Sequence, residues 1–217
     1  MRRWNGWGEE STVVELPKHG AGFLAEKIGV GQVLPDATLE QVLALVPESR
    51  LSAPPASISV DAEVRVRHAR GQSLPDWLAV REGRFEVFPD GVALPESAAQ
   101  IRELLAWAQQ QDVILIPYGG GTSVAGHINP QACDKPVVTL SLERMNKLLD
   151  IDEQSLIATF GPGANGPQVE SQLRARGYTL GHYPQSWELS TLGGWVASRS
   201  SGQQSLRYGR IEQLFAG

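Results

Sequence analysis

Thiol chemistry is nearly absent from this chain. Its 217 residues include one cysteine, Cys133, which excludes an internal disulfide and any cysteine-built metal site. Histidine is scarce too: His19, His68, His127 and His182 lie far apart without the spacing of metal ligands, so no metal is expected. Lys and Arg form no run, and 19 basic against 24 acidic residues leave a net charge of −5. A binder that draws its affinity from basic patches on a phosphate backbone is thereby excluded, and no nucleic-acid partner is expected. No apolar stretch approaches the roughly 20 residues that span a bilayer. The opening Met1-Arg2-Arg3-Trp4-Asn5-Gly6-Trp7-Gly8 also lacks an apolar signal core. The expectation is a soluble, cytoplasmic chain, with peripheral membrane contact and a homodimer left open.

What the chain does have is glycine, 23 residues of it, concentrated where it is chemically useful. Pro117-Tyr118-Gly119-Gly120-Gly121-Thr122-Ser123 follows the short apolar run Val113 to Ile116. Three consecutive glycines can turn their N–H groups toward one point, and two hydroxyls add donors, a combination suited to a phosphate; an ordinary glycine-rich turn is the competing reading. The Walker pattern is excluded, because Gly121 is followed by Thr122 with no Lys nearby. Gly161-Pro162-Gly163-Ala164-Asn165-Gly166 spells the Rossmann G-x-G-x-x-G after the strand-like Leu156 to Phe160. It reads as a decoy, since the acidic residue expected about 20 positions later at the end of a second strand is missing; Glu188 falls in a loop-like stretch.

The organisation is uneven along the chain. Residues 1–88 read as a small, partly helical N-terminal segment. It has one short helix from Ala37 to Val46 stopped by Pro47, a Pro/Ser/Ala linker from Leu51 to Ser59, and a second helix from Leu74 to Glu82. From residue 89 to 217 the pattern becomes α+β. Ser97 is placed to cap a helix whose Ile101, Leu104, Leu105 and Ala108 share a face. Strands are expected at Val113 to Ile116, Val137 to Leu142 and Ser155 to Phe160, and Pro167 opens another helix that Gly177 stops.

The order of these segments is more specific than any one of them. The glycine loop, then Leu140-Ser141-Leu142 with Met145-Asn146, then Pro162-Gly163, then Gly181-His182, then Ser190-Thr191-Leu192-Gly193-Gly194-Trp195-Val196-Ala197 resembles the FAD domain of the vanillyl-alcohol-oxidase-type flavoproteins. Arg3-Trp4-Asn5-Gly6-Trp7-Gly8, Arg81-Glu82-Gly83, and Gly181-His182 followed by Glu188, Ser190 and Thr191 narrow the resemblance to the alkyldihydroxyacetonephosphate synthase family of ether-lipid synthesis.

The resemblance implies an incomplete FAD-binding domain, with FAD held by Pro117, Tyr118, Gly119, Gly120, Gly121, Thr122 and Ser123. Gln185, Ser186, Trp187, Glu188, Leu189, Ser190 and Thr191, and then Ser198, Arg199, Ser200 and Ser201, would supply further contacts. Gln185 stands where the family usually has Asp, and a neutral amide can still hydrogen-bond there. Thr122 stands where covalent flavoproteins of the superfamily often carry His, which implies non-covalent FAD. The implied reaction exchanges the acyl chain of acyl-dihydroxyacetone phosphate for a fatty alcohol through an adduct at flavin N5, without net redox change. A 2-hydroxy acid dehydrogenase or oxidase and an inactive FAD-binding module are the alternatives. The family's substrate-binding cap and catalytic residues are expected beyond residue 217, so the 217 residues alone are expected to be inactive. Outside the series, Gly193-Gly194-Trp195 reads as close helix packing, His182 as a structural histidine, and Trp4 and Trp7 as hydrophobic anchors.

Overall fold

A computed structural model describes residues 2–32 and 34–217. The first helix, α1 (Gly20–Ile28), buries no residue. The second, α2 (Leu39–Leu43), is shorter than the stretch Ala37 to Val46 its apolar pattern predicts. The chain starts it two residues late because Thr38 caps it, accepting from Gln41 N at 3.3 Å while Gln41 Oε1 accepts from Thr38 N at 2.9 Å. The expected linker ends in a two-residue strand, β1 (Ile58–Ser59), and an unforeseen helix, α3 (Ala62–Arg67), follows it. Then comes α4 (Leu74–Arg81), with Glu82 as its C-cap, as the sequence predicts. Val42, Val66, Ala69 and Phe88 form the apolar centre of this region, with Trp4 packed against them. Trp4 is thus an anchor, whereas Trp7 is 37% exposed and stands outside that cluster.

The remainder builds on two sheets. In the first, β2 (Gly91–Ala93) pairs antiparallel with β1 and parallel with β4 (Val137–Ser141), which pairs parallel with β3 (Ile114–Tyr118) on its other side. The order β1-β2-β4-β3 puts β4 inside, and its five residues are all buried. A Val-Val-Thr-Leu-Ser run reads as such a strand, covered on both faces. Helix α5 (Ala98–Gln111) is capped by Ser97 and covers the sheet with Leu104 and Ala108. Its apolar stripe is narrower than the periodicity implies, for Leu105 is 52% exposed. The second sheet is the antiparallel pair of β5 (Leu148–Asp152), which the pattern does not reveal, and β6 (Ile157–Phe160). The predicted strand from Ser155 begins two residues late. Ser155 Oγ and the amides of Gln154 and Ser155 bind the Asp152 carboxylate in a turn that puts Leu156 at φ 59°.

After β6 the Rossmann-like glycines meet a different demand. The strand before them is antiparallel, not part of a βαβ unit. A Cβ at Gly161 or Gly163 would run into the main chain of Met145 or Leu142, and one at Gly166 into Trp187. Helix α6 (Gly166–Arg174) starts on an Asn165–Gln168 capping box, buries Val169 and Leu173, and stops before Gly177 at φ +82°. Short helices α7 (Leu192–Ser198), α8 (Ser205–Tyr208) and α9 (Ile211–Leu214) complete the described chain. Two carboxylates tie segments distant in sequence. Asp90, 3% exposed, accepts from Arg50 N, Nε and Nη2 at 3.1, 3.0 and 2.8 Å and from Val137 N at 2.7 Å. Glu170, 4% exposed, accepts from Leu180 N, Gly181 N, Thr179 Oγ1 and Arg174 Nε at 3.0, 3.1, 2.8 and 3.2 Å.

Candidate cofactor site

Strand β3 ends on Tyr118, and the glycine loop begins where the ladder with β4 stops. The Tyr118 ring is buried beneath the loop and lies 4.9 Å from the His68 ring; its hydroxyl donates to Arg67 O at 3.3 Å. Gly121 takes φ +68°, and a Cβ there would collide with the Tyr118 ring, so both the turn and the close approach require glycine. The main-chain N–H groups of Gly119, Gly120, Gly121, Thr122 and Ser123 donate no hydrogen bond to another described residue. Five consecutive amides in a half-buried loop are thus left without an internal acceptor, which fits a loop that gives its donors to an anion from outside.

The loop is pressed onto the second predicted stretch. A Cβ on Gly120 would meet Leu189 O and C and Ser190 Cα, and one on Gly119 would meet Thr191 Oγ1. That stretch is a tight turn: Ser186 O accepts from Leu189 N, Ser190 N and Ser190 Oγ at 2.9, 2.8 and 2.9 Å. Ser190 Oγ accepts in turn from Trp195 Nε1 at 2.7 Å, and Thr191 caps α7 by accepting from Gly194 N at 3.4 Å. Gln185 and the Glu188 side chain are exposed on its outer side. Trp187 packs on Gly166 and tilts over Tyr183 at 5.5 Å.

The third stretch is joined through Trp195 rather than through the loop. Ser200 N donates to Trp195 O at 2.9 Å, and Ser200 Oγ lies 3.1 Å from Nε2 of His182, whose ring meets Trp195 edge-on at 5.1 Å. His182 is therefore a packed, hydrogen-bonded ring, and burial pushes its pKa below the ordinary histidine value. Ser198 Oγ donates within its own helix to Gly194 O at 2.8 Å. Arg199, at φ 54°, turns its guanidinium outward to Glu212 at 3.4 Å, and Ser201 is exposed. The structure thus joins 117–123 directly to 189–191 and carries 198–201 alongside through Trp195 and His182.

Several participants escape sequence reasoning. Glu170 fixes residues 179–181 just before His182. Burial raises its pKa, but the hydrogen bonds from Thr179, Gly181, Leu180 and Arg174 outweigh that and hold it below the ordinary value. His68 lies under the loop beside the already expected Tyr118, and burial lowers the first pKa and raises the second. Beside Tyr118 and Gly119 opens a cavity of about 460 Å³, with Arg2, Arg67, Arg70, Trp4 and Trp77 in its wall. A larger trough of about 790 Å³, mostly apolar, lies away from the loop between the β5–β6 hairpin, α6 and α7.

The fit to FAD rests on polar capacity. Besides the five loop amides, His182 Nδ1 and Trp187 Nε1 are buried without a partner among the described residues, which suits a ligand rich in donors and acceptors. Among the described residues, no helix is long and apolar enough to cross a membrane.

A family description, FAD binding domain, matches residues 89–217. An alkyldihydroxyacetonephosphate synthase of Dictyostelium discoideum is 40% identical over 160 residues, covering 74% of this chain and 26% of that protein. Another, from Trypanosoma brucei brucei, is 31% identical over 98% of this chain and 40% of its own length. A solved structure titled alkyldihydroxyacetonephosphate synthase superposes at a TM-score of 0.86 with 32% identity, over 98% of this chain and 46% of that one. The chain thus spans less than half the length of these relatives.

Proposed function

The chain belongs to the family of FAD binding domains, and on that premise we propose that it is the FAD-holding part of an alkyldihydroxyacetonephosphate-synthase-like flavoprotein. The observation that carries this reading is the row of unpaired amides from Gly119 to Ser123, clamped against Leu189 to Thr191. Pro117 to Ser123 would take the diphosphate, and Gln185 to Thr191 with Ser198 to Ser201 would complete the cofactor contacts. When bound, FAD supplies the electrophilic ring that the acyl-for-alkoxy exchange of acyl-dihydroxyacetone phosphate with a fatty alcohol requires. The chain's own residues bind and orient it: Tyr118 supports the loop from beneath, and Glu170 and Trp195 fix the neighbouring segments. Thr122, whose hydroxyl makes no carbon–nitrogen link to a flavin as a His could, supports non-covalent attachment.

The test is to purify the chain with excess FAD, remove free cofactor by gel filtration, and record the visible spectrum before and after protein precipitation. A retained flavin band that precipitation releases supports the reading. A folded chain that retains no flavin refutes it for these residues. For the reaction, the longer protein should turn over acyl-dihydroxyacetone phosphate with a fatty alcohol and should not reduce a dye with 2-hydroxy acids; the reverse result would make it a dehydrogenase.

A further inference from the structure

We propose that Asp76 and Asn129 are positioning residues for the cofactor: from opposite sides they clasp the exit of the glycine loop, so that flavin affinity is set partly by the N-terminal segment. This rests on the FAD reading above and adds to it two residues outside the three stretches expected to contact the cofactor.

The clasp is a closed set of bonds between residues 71–76 and 123–129. Gln72 N donates to Ser123 O at 2.7 Å, fastening the last residue of the loop to the N-terminal segment. Gly71 N donates to Asn129 Oδ1 at 2.9 Å, and Asn129 Nδ2 donates to Asp76 Oδ1 at 2.7 Å. The other oxygen of Asp76 accepts from Ser73 Oγ at 2.6 Å and Ser73 N at 3.2 Å, while Ser73 Oγ accepts from Asp76 N at 3.2 Å. Arg70 adds a cation 3.9 Å from Asp76 Oδ1. Asp76 is 3% exposed, so its carboxylate is oriented by these donors and by little water. A Cβ on Gly71 would strike Ser123 O, so the two backbones already lie as near as they can.

The consequence follows from the free amides. A loop whose own N–H groups have no internal acceptors draws little of its shape from main-chain hydrogen bonds of its own. Its entry is fixed by β3 and its middle by Leu189 and Ser190, but its exit is fixed by Gln72 and, through Gly71, by the Asn129–Asp76 pair. An amide donating to a carboxylate is a charge-assisted bond, stronger than a neutral one. Preorganising a loop reduces the ordering cost that binding would otherwise meet.

The two side chains can be exchanged, which gives the test. Titrate FAD by flavin fluorescence into the wild-type chain, Asp76→Asn, Asn129→Asp, Asn129→Ala and the double variant Asp76→Asn/Asn129→Asp. In parallel, follow amide exchange at Gly71 and Gln72. In Asn129→Asp two carboxylates face each other; in the double variant an amide again donates to a carboxylate and Gly71 N keeps an oxygen acceptor. The single variants should bind FAD at least tenfold more weakly and exchange these amides faster, and the double variant should return within about threefold of wild type in both. General destabilisation would not produce that rescue. Single variants that bind FAD like wild type, or a folded double variant that rescues neither readout, would overturn the clasp. Should Asp76→Asn not fold, Asn129→Ala at the half-buried loop position carries the same expectation. A wild-type chain that binds no FAD is a separate result: it removes the flavin reading, and the affinity claim with it.

Discussion

Substituting Gly120 by alanine perturbs the site at the point where the two predicted stretches touch. The added Cβ would lie 1.8 Å from Leu189 O, 2.7 Å from Leu189 C and 3.0 Å from Ser190 Cα. All three atoms are main chain, so no side-chain rotation relieves the contact. To reach ordinary van der Waals separation from the oxygen, the loop and residues 189–190 must part by roughly 1.5 Å. Overpacking of this kind costs about 1–3 kcal/mol where side chains can give way, and here the upper end applies. The parting also moves the donors of Gly119 to Ser123 away from Thr191 and α7, so cofactor binding should suffer beyond the loss of stability. The expected result is a fall of at least 100-fold in FAD affinity, about 2.7 kcal/mol, with a chain that remains folded by circular dichroism. Fluorescence titration with FAD measures it. An alanine variant that binds FAD within threefold of wild type would refute the proposed contact between the loop and residues 189–190.

Two further perturbations test the carboxylates that organise the scaffold. Glu170→Gln should lower stability by about 1–3 kcal/mol, because an amide cannot replace a carboxylate toward four donors. Since the folded pKa of Glu170 is depressed, its contribution is complete above the unfolded carboxylate range near pH 4.3 and is lost as pH falls through the lower folded value. Thermal melts from pH 7 to pH 3 should therefore show a smaller acid loss in Glu170→Gln than in wild type, and identical slopes would count against the clamp. Asp90→Asn should cost about 1–3 kcal/mol in a urea titration with unchanged slope. The value lies at the low end for a buried ion pair because the Arg50 side chain is 44% exposed. A variant with an unchanged urea midpoint would show that Arg50 and Val137 find other partners.

Local signals made much of this molecule legible, and tertiary ones did not. Ser97 and the i, i+3, i+7 apolar spacing located α5, and Pro167 with Gly177 bounded α6, because caps and breakers act within a few residues. The glycine loop stood out because three consecutive glycines follow a short apolar run, with an ordinary glycine-rich turn as the competing reading. Leu105 turns outward, 52% exposed, although it shares the periodic apolar spacing of α5, a fact of packing that periodicity does not carry. Strand β5 was missed because its Leu-Leu-Asp-Ile-Asp sequence alternates poorly and two of its residues are acidic. The Asp76–Asn129 pair joins residues 53 apart in sequence. Only half of it left a trace, in the Ser73-Leu74-Pro75-Asp76 capping box.

The strand order also governs when the site can come into being. β4 lies between β2 and β3, so the two earlier strands have no ladder to share until residues 137–141 have left the ribosome. The surface against which Gly120 rests arrives later still, with residues 189–190. During synthesis the glycine loop therefore exists, held at its exit by residues 71–76 and 129, for some 70 residues before residues 189–190 close on its middle, several seconds at ordinary translation rates. Closure over the middle of the loop therefore belongs to a late stage of folding, after the four-stranded sheet is complete.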